Sequence, residues 1–268
     1  MTIATELDRI LQQEEKLRRQ HHKDPAQWKT AMEAKVPPKI YDNLKSVFAK
    51  AFQVIFERGT DLIERTYRKD EIEKDFKVRD YAVSLEMNSR NLALLDANAQ
   101  LSNLVNLAVS AVEGVGLGAL GIGLPDIVLF VSMILRGCYE TALRYGFQYD
   151  TNAEKWFILL LLEGALAHGE DWDACNAGID EQILRPVMPA EELLDEQTKK
   201  TAYAFAEDML LTKFIQGLPF VGMVGGAANP YYYRKILTFV PDRACSDHVA
   251  GRSLITCLSY GDHVTERR

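Results

Sequence analysis

The chain has 268 residues, of which 47% are hydrophobic and 26% are charged, the composition of a folded globular protein. Its net charge of −7 argues against a dedicated nucleic-acid-binding protein, because such proteins need a basic surface to neutralise phosphates. The four scattered cysteines form no C-x-x-C pair and the polar N-terminus has no signal-peptide core, so we expect a cytoplasmic protein with reduced thiols.

The first half of the chain is predicted to be helical. Residues 1–27 form a polar, charged helical leader. An apolar stripe with the i, i+3, i+4, i+7 spacing of an amphipathic helix then runs from Leu44 to Ile55. Thr60 is expected to cap a short helix. Residues 80–113 are predicted to form one long helix, or two, that become more apolar toward their end.

Capping signals divide the second half of the chain into further helices. Pro125 opens a helix that Gly146 closes, because proline is favoured at the first helical position and glycine after the last. A T-x-x-E capping box at 151–154 precedes a long apolar run. The HGEDWD sequence at 168–173, which follows this run, is expected to be a structural turn. Two more helices are predicted over 189–215 and 230–240.

The pattern predicts an all-α fold with a single multi-helix domain over residues 28–240. Strand alternation does not persist in any segment, and no hairpin signal occurs. Residues 241–268 lose the helical stripe, so we expect an irregular, flexible tail there, and the alternative is that this sequence replaces an original C-terminal helix. A membrane span needs ~20 predominantly apolar residues. The best window, 114–135, contains Asp126, a proline and five glycines, so no transmembrane helix is predicted.

Two glycine-rich apolar segments, here called the elbows, are the most distinctive feature of the sequence. The first elbow is GVGLGALGIGL at 114–124 and the second is GLPFVGMVGGAA at 217–228. Glycine costs roughly 0.5–1 kcal/mol relative to alanine inside a helix, so repeated glycine indicates close backbone packing or a bent apolar surface. The glycines assigned to close packing are Gly118, Gly121, Gly222 and Gly226. The residues expected to contact lipid or an apolar ligand are Leu117, Leu120, Ile122, Phe220, Val221 and Met223. The alternative is that the elbows are buried against each other.

Few residues suggest catalysis. The chain has no H-E-x-x-H, P-loop or G-x-S-x-G motif. Asp126 either complements the dipole of its helix or is a buried functional carboxylate paired with Arg136 or Arg144. His168, in HGEDWD, is the other weak acid/base candidate, and the spacing around it does not favour a metal site. We therefore expect no metal and no cofactor.

Two charged or aromatic features are candidate surfaces. Residues 163–208 contain twelve acidic and three basic residues, an acidic belt that is either a solvated face or a site for a basic partner. The tyrosines at 231–233, followed by Arg234 and Lys235, are typical of a bilayer interface, or of a cluster that places one tyrosine in the core.

Several motifs, taken in order, resemble the EcsC family. They cover about residues 28–240 and include KVPPKIYDNLKSVFAKAFQVIFERGTDLIE, the glycine run ending in PDI, ALRYGFQYD, NAEKWFILLLL and LPFVGMVGGAANPYYYRKI. The positions that match the family pattern are Asp126 after the glycine run, the Y-G pair at 145–146, and Gly222, Gly226 and Asn229 in the second glycine motif. The chain departs from that pattern at Pro241, which interrupts the last helix.

The resemblance implies a cellular setting rather than a reaction, because the family is named after a protein encoded beside an ABC transporter and has no assigned activity. The first hypothesis is a cytoplasmic protein at the inner face of the cell membrane, accessory to transport or secretion, with membrane lipid and a membrane transporter as partners. One alternative is a hydrolase-type enzyme that uses Asp126 and His168. The other is a soluble interaction scaffold that uses the acidic belt.

Overall fold

The computed structural model describes residues 3–22, 26–85, 125–185, 187–215, 232–240 and 243, and all regular structure in these ranges is helical. The helices in chain order are α1 (Ile3–His21), α2 (Ala26–Glu33), α3 (Pro38–Val54), α4 (Thr60–Glu64), α5 (Lys69–Leu85), α6 (Pro125–Arg144), α7 (Asn152–Leu166), α8 (Gly169–Leu184), α9 (Glu191–Ile215) and α10 (232–240). The all-α prediction is therefore confirmed. Within the described helices, none is both long and apolar enough to cross a membrane.

The longest helix, α9, lies at the centre of the core and packs along α3 and α7. Its Phe205 is fully buried, with ring centroids 5.4 Å from Phe48, 5.5 Å from Phe52 and 6.0 Å from Phe130. Burial of each such ring stabilises the fold by roughly 1.5–3 kcal/mol. The apolar stripe predicted from Leu44 to Ile55 is this core-facing surface of α3 and of the π-helical turn after it.

The predicted caps of α6 and α7 are confirmed. Thr151 and Glu154 form a complete capping box, in which the Glu154 carboxylate accepts from the Thr151 backbone at 2.9 Å. Gly146 follows the end of α6 with φ +81°, a conformation that L side chains rarely adopt. The Phe76 ring of α5 fills the place that a side chain on Gly146 would take.

Two local predictions are wrong. Thr60 does not cap a separate helix, because α3 continues through the π-helical turn Ile55–Gly59 directly into α4. Thr60 instead donates to the Ile55 carbonyl at 3.4 Å. The HGEDWD sequence is not an isolated turn either, since α8 begins within it at Gly169 and continues to Leu184. Of the segment predicted to be helical over 80–113, the part up to Leu85 lies in α5, and the rest is outside the described residues.

A glycine in α6 permits close contact with α10. A Cβ on Gly137 would overlap the Leu237 side chain and would lie 2.9 Å from the Tyr233 hydroxyl. Phe130, earlier in α6, contacts Tyr232, with ring centroids 5.9 Å apart. The contacts advance in the same order along both helices, so α6 and α10 run in the same direction and begin at the same end of the fold.

The two terminal segments meet at Arg243. Its side chain is only 3% exposed, and the guanidinium contacts Glu14 of α1 at 2.6 Å and also Asp180 of α8. The division into leader, domain and tail remains a prediction. Nevertheless, α1 of the leader packs onto the helical domain, and Arg243 of the predicted tail is buried between them. The other residues of that tail are not among those described.

Candidate functional site

A buried cluster of charged and aromatic side chains joins α8, α9 and α10. Asp208, on the inward face of α9, has a side chain only 5% exposed. Its Oδ1 atom accepts from Lys235 Nζ of α10 at 2.8 Å and from His168 Nε2 at 3.1 Å. His168 precedes α8 in an extended conformation, which directs the chain from the end of α7 into the cluster. Three separate elements therefore converge on one carboxylate oxygen.

The carboxylate of this cluster stays ionised. Burial raises the pKa of Asp208, but Lys235 and His168 outweigh this effect and hold the pKa below its ordinary value. An unpaired charge at this depth would be strongly destabilising, whereas the lysine and histidine compensate it directly. Tyr232 also ties α10 to α9 at this point, because its hydroxyl donates to the Asp208 backbone carbonyl at 3.0 Å.

Helix α1 covers the cluster with His21. The His21 ring stacks on Trp172 of α8, with centroids 5.3 Å apart and 19° between the ring planes. Its Nδ1 atom donates to the Ala167 carbonyl at 2.7 Å, and its ring lies 5.9 Å from that of His168. Burial lowers the pKa of His21 to about 4, with a smaller contribution from the nearby Lys235 charge. His21 is therefore neutral near pH 7.

Three buried polar atoms of the cluster have spare hydrogen-bonding capacity. Asp208 Oδ2, His168 Nδ1 and Trp172 Nε1 have no hydrogen-bond partner within the described part of the chain. Leaving such an atom without a partner costs about 1–3 kcal/mol, so these three atoms are sites where a further polar group would stabilise the cluster. No group of three His, Cys, Asp or Glu side chains within the described ranges is arranged to hold a metal ion.

A second polar network lies at the other side of α6. The Tyr149 hydroxyl donates to Glu64 at 2.6 Å and lies 2.6 Å from the Tyr67 hydroxyl, while Lys69 donates to the same Glu64 oxygen at 2.9 Å. The Tyr149 ring stacks on Tyr139 with centroids 4.2 Å apart. Burial raises the pKa of Tyr149, and its bond to Glu64 adds to this effect, so the phenol stays protonated. This network fixes the α4–α5 corner against α6, and we assign it a structural role.

Of the two predicted acid/base candidates, the structure describes the side chain of His168 only. His168 is in the buried cluster, but its carboxylate partner is Asp208, which the sequence reasoning did not select. Asp126 lies in the first turn of α6, and its side chain is outside the described residues. The arginines proposed as its partners both pair with Glu140, Arg136 at 2.8 Å and Arg144 at 3.8 Å, and their pairing with Asp126 stays a prediction.

The predicted lipid-contacting residues and close-packing glycines lie outside the described residues. These residues are Leu117, Leu120, Ile122, Phe220, Val221, Met223, Gly118, Gly121, Gly222 and Gly226. The tyrosine cluster is partly described. Tyr232 and Tyr233 are both buried in the core, and Lys235 binds Asp208. These three residues therefore do not form an interfacial anchor, although Arg234 is exposed.

Comparison with known proteins identifies the family. The model of the EcsC protein family matches residues 2–240, which is most of the chain, so the chain belongs to this family. The match includes α1, whereas the motifs that resemble the family begin only at about residue 28. No curated protein and no solved structure shows a significant match to the chain.

Proposed function

We propose that this member of the EcsC family binds peripherally to the inner face of the cell membrane through its two elbows, as an accessory to a membrane transporter or another envelope function. The observation that carries the proposal is the packing of α6 and α10, the helices that follow the two elbows. The Phe130–Tyr232 and Gly137–Leu237 contacts follow the same order along the two helices, which indicates that both helices begin at the same end of the fold. The first described residues after the elbows, Pro125 and Tyr232, therefore lie at that end.

The composition of the elbows supports a shared apolar contact at that end. Neither 114–124 nor 217–228 contains a charged residue. Soluble proteins rarely expose a contiguous apolar surface larger than a few hundred Å². Insertion of three or four of these side chains into lipid would contribute roughly 5 kcal/mol or more, enough for measurable membrane binding.

Liposome flotation tests the proposal. The purified chain is mixed with neutral phosphatidylcholine vesicles and with vesicles that also contain an anionic lipid. We expect the wild type to float with the vesicles, and the double variant Leu120→Asp with Phe220→Asp to remain in solution while keeping its helical circular dichroism. The matched control places the same two charges on exposed apolar positions elsewhere, Leu11→Asp in α1 and Val78→Asp in α5, which are 53% and 70% exposed.

Two results would contradict membrane binding through the elbows. If the wild type stays in solution with both kinds of vesicle, the elbows are buried against each other. If the control variant loses flotation as completely as the elbow variant, added negative charge rather than loss of insertion is the cause.

A hydrolase-type enzyme is the second candidate, and the hydrogen bond between His168 and Asp208 favours it. An aspartate that accepts from a histidine holds the imidazole in one tautomer and orientation, as a general base requires. Within the described ranges no serine, threonine or cysteine bonds to His168, so the mechanism proposed for this candidate is activation of a water by the imidazole. Hydrolysis of p-nitrophenyl acetate and p-nitrophenyl phosphate should then fall at least a hundredfold in His168→Gln but not in His22→Gln. Equal rates for all three proteins would exclude His168 as the base for these substrates.

A further inference from the structure

Four large apolar side chains are exposed around the connection between α8 and α9. We call Leu184, Val187, Met188 and Leu193 the apolar turn, and their exposed fractions are 66%, 58%, 65% and 47%. Single exposed apolar residues are normal on a protein surface, but four within ten residues of sequence are unusual and are typical of a contact surface.

The apolar turn is a fixed structure. The Gln182 side chain closes it with two hydrogen bonds to the Val187 backbone, donating to the carbonyl at 3.1 Å and accepting from the amide at 3.2 Å. Pro189 is buried beneath the turn, and the Leu194 amide donates to the Ala190 carbonyl at 3.1 Å as α9 begins. The backbone is thus held on both sides of Val187 and Met188, and the two side chains project outward.

Acidic side chains flank the apolar turn, at the end of α8 and at the start of α9. Glu181, Glu191, Glu192 and Glu196, here called the acidic rim, are exposed and form no ion pair with any described residue. The sequence from 180 to 196 holds six acidic residues and one basic residue, Arg185. An apolar surface flanked by unpaired carboxylates is complementary to a partner that combines apolar and basic side chains.

The apolar turn lies at the start of α9. This helix has 25 residues, and a rise of 1.5 Å per residue places its last residue, Ile215, about 36 Å from its first.

We propose that the apolar turn and its acidic rim dock a basic amphipathic helix of another protein. Such a helix would place leucine-like side chains against Val187 and Met188 and its lysines or arginines against the rim, as in other helix-on-surface complexes. A second copy of this chain is a poor occupant, because a symmetric contact would bring two acidic rims together. Anionic lipid is a poor occupant for the same electrostatic reason. This proposal does not depend on membrane binding by the elbows.

The test uses a defined probe, an 18-residue peptide of leucine and lysine with its leucines on one helical face. Binding of the fluorescently labelled peptide to the full chain is followed by anisotropy at low and at moderate salt. A peptide of the same composition, with leucines scattered around the helix, controls for attraction between opposite net charges. The variant Val187→Ser with Met188→Ser removes the apolar contact, and Glu191→Gln with Glu192→Gln neutralises half of the acidic rim.

We expect saturable binding of the amphipathic peptide, at least tenfold weaker in the Val187→Ser, Met188→Ser variant and three- to tenfold weaker in the glutamine variant. The matched control, Val78→Ser with Leu85→Ser, changes two residues of α5 that are 70% and 69% exposed, and it should bind as the wild type does. Equal binding of the scattered peptide, or an equal loss in the α5 control, would overturn the proposal. The proposal would also be overturned if the wild type formed a dimer in sedimentation velocity and the Val187→Ser, Met188→Ser variant did not. The same holds if the wild type bound liposomes and this variant did not.

Discussion

Lowering the pH from 7 to 5 should destabilise the protein through His21, the last residue of α1. This side chain must stay neutral to remain buried against Trp172 and Phe239. The ring is enclosed by Trp172 and Phe239, and it faces the charged groups of Lys235 and Asp208 and the ring of His168. Its neighbour His22 is more exposed, pairs with Asp173 and meets Trp172 only in an edge-on contact, with ring centroids 6.1 Å apart. Protonation of His21 would place a second positive charge close to Lys235 in a desolvated position.

The sign and size of the effect follow from the two pKa values of His21. In the unfolded chain the imidazole takes up a proton near its ordinary value of 6.5, whereas in the folded protein its pKa is about 4. Between these values the unfolded state binds more protons, so its free energy falls relative to the folded state as the pH falls. The difference amounts to about 2 kcal/mol of unfolding free energy between pH 7 and pH 5.

Urea unfolding at both pH values measures this contribution. All carboxylates titrate in every protein compared, so the informative quantity is the difference between wild type and His21→Gln. We expect the wild type to lose about 2 kcal/mol more than His21→Gln on going from pH 7 to pH 5. The control is His22→Gln, the neighbouring histidine on the same helix.

Two outcomes would refute the reasoning. If wild type and His21→Gln lose the same free energy, His21 is not buried in its neutral form. If His22→Gln removes the pH dependence as fully as His21→Gln, the exposed pair with Asp173, rather than the stack on Trp172, is responsible.

Three further changes test the packing. Gly137→Ala should destabilise the fold by roughly 1–3 kcal/mol by forcing α10 away from α6, whereas Gly178→Ala in α8, with only a contact at 3.9 Å, should be neutral or stabilising in thermal unfolding. Thr151→Ala should cost about 1 kcal/mol in urea unfolding through loss of the α7 cap, and an unchanged midpoint would show that Glu154 alone suffices. A chain ending at 242 should melt lower than one ending at 243, because only the longer chain keeps the buried Arg243; equal melting temperatures would show that its contacts contribute nothing net.

The features that depend on neighbours in sequence could be predicted. The capping box at 151–154, the positive φ at Gly146 and the core stripe of α3 each follow from residues within about three helical turns of one another. Helix α8 was missed because its stripe is weak, with only Trp172 and Ile179 buried in 16 residues. The π-helical turn at Ile55–Gly59 could not be predicted, because nothing in the local sequence marks the one residue that a π-helix adds to an α-helical turn.

The buried cluster could not be assembled from sequence, because its members come from distant parts of the chain. His168 and Asp208 are 40 residues apart, and His21 is 146 residues from the carbonyl of Ala167. One signal was nevertheless present. Asp208 follows Phe205 by three residues on the apolar stripe of α9, and a carboxylate at a core position requires a cationic partner. That reasoning would have selected Asp208 without identifying Lys235.

The buried charges also explain how the start of α10 is fixed. An ion pair in the core contributes little net stability compared with well-packed apolar residues, but removal of one partner leaves an uncompensated charge. Asp208 therefore favours arrangements of α10 that bring Lys235 within reach, and the Leu237 side chain already packs closely against the backbone of Gly137 in α6. The two constraints hold the first described residues of α10 beside α6.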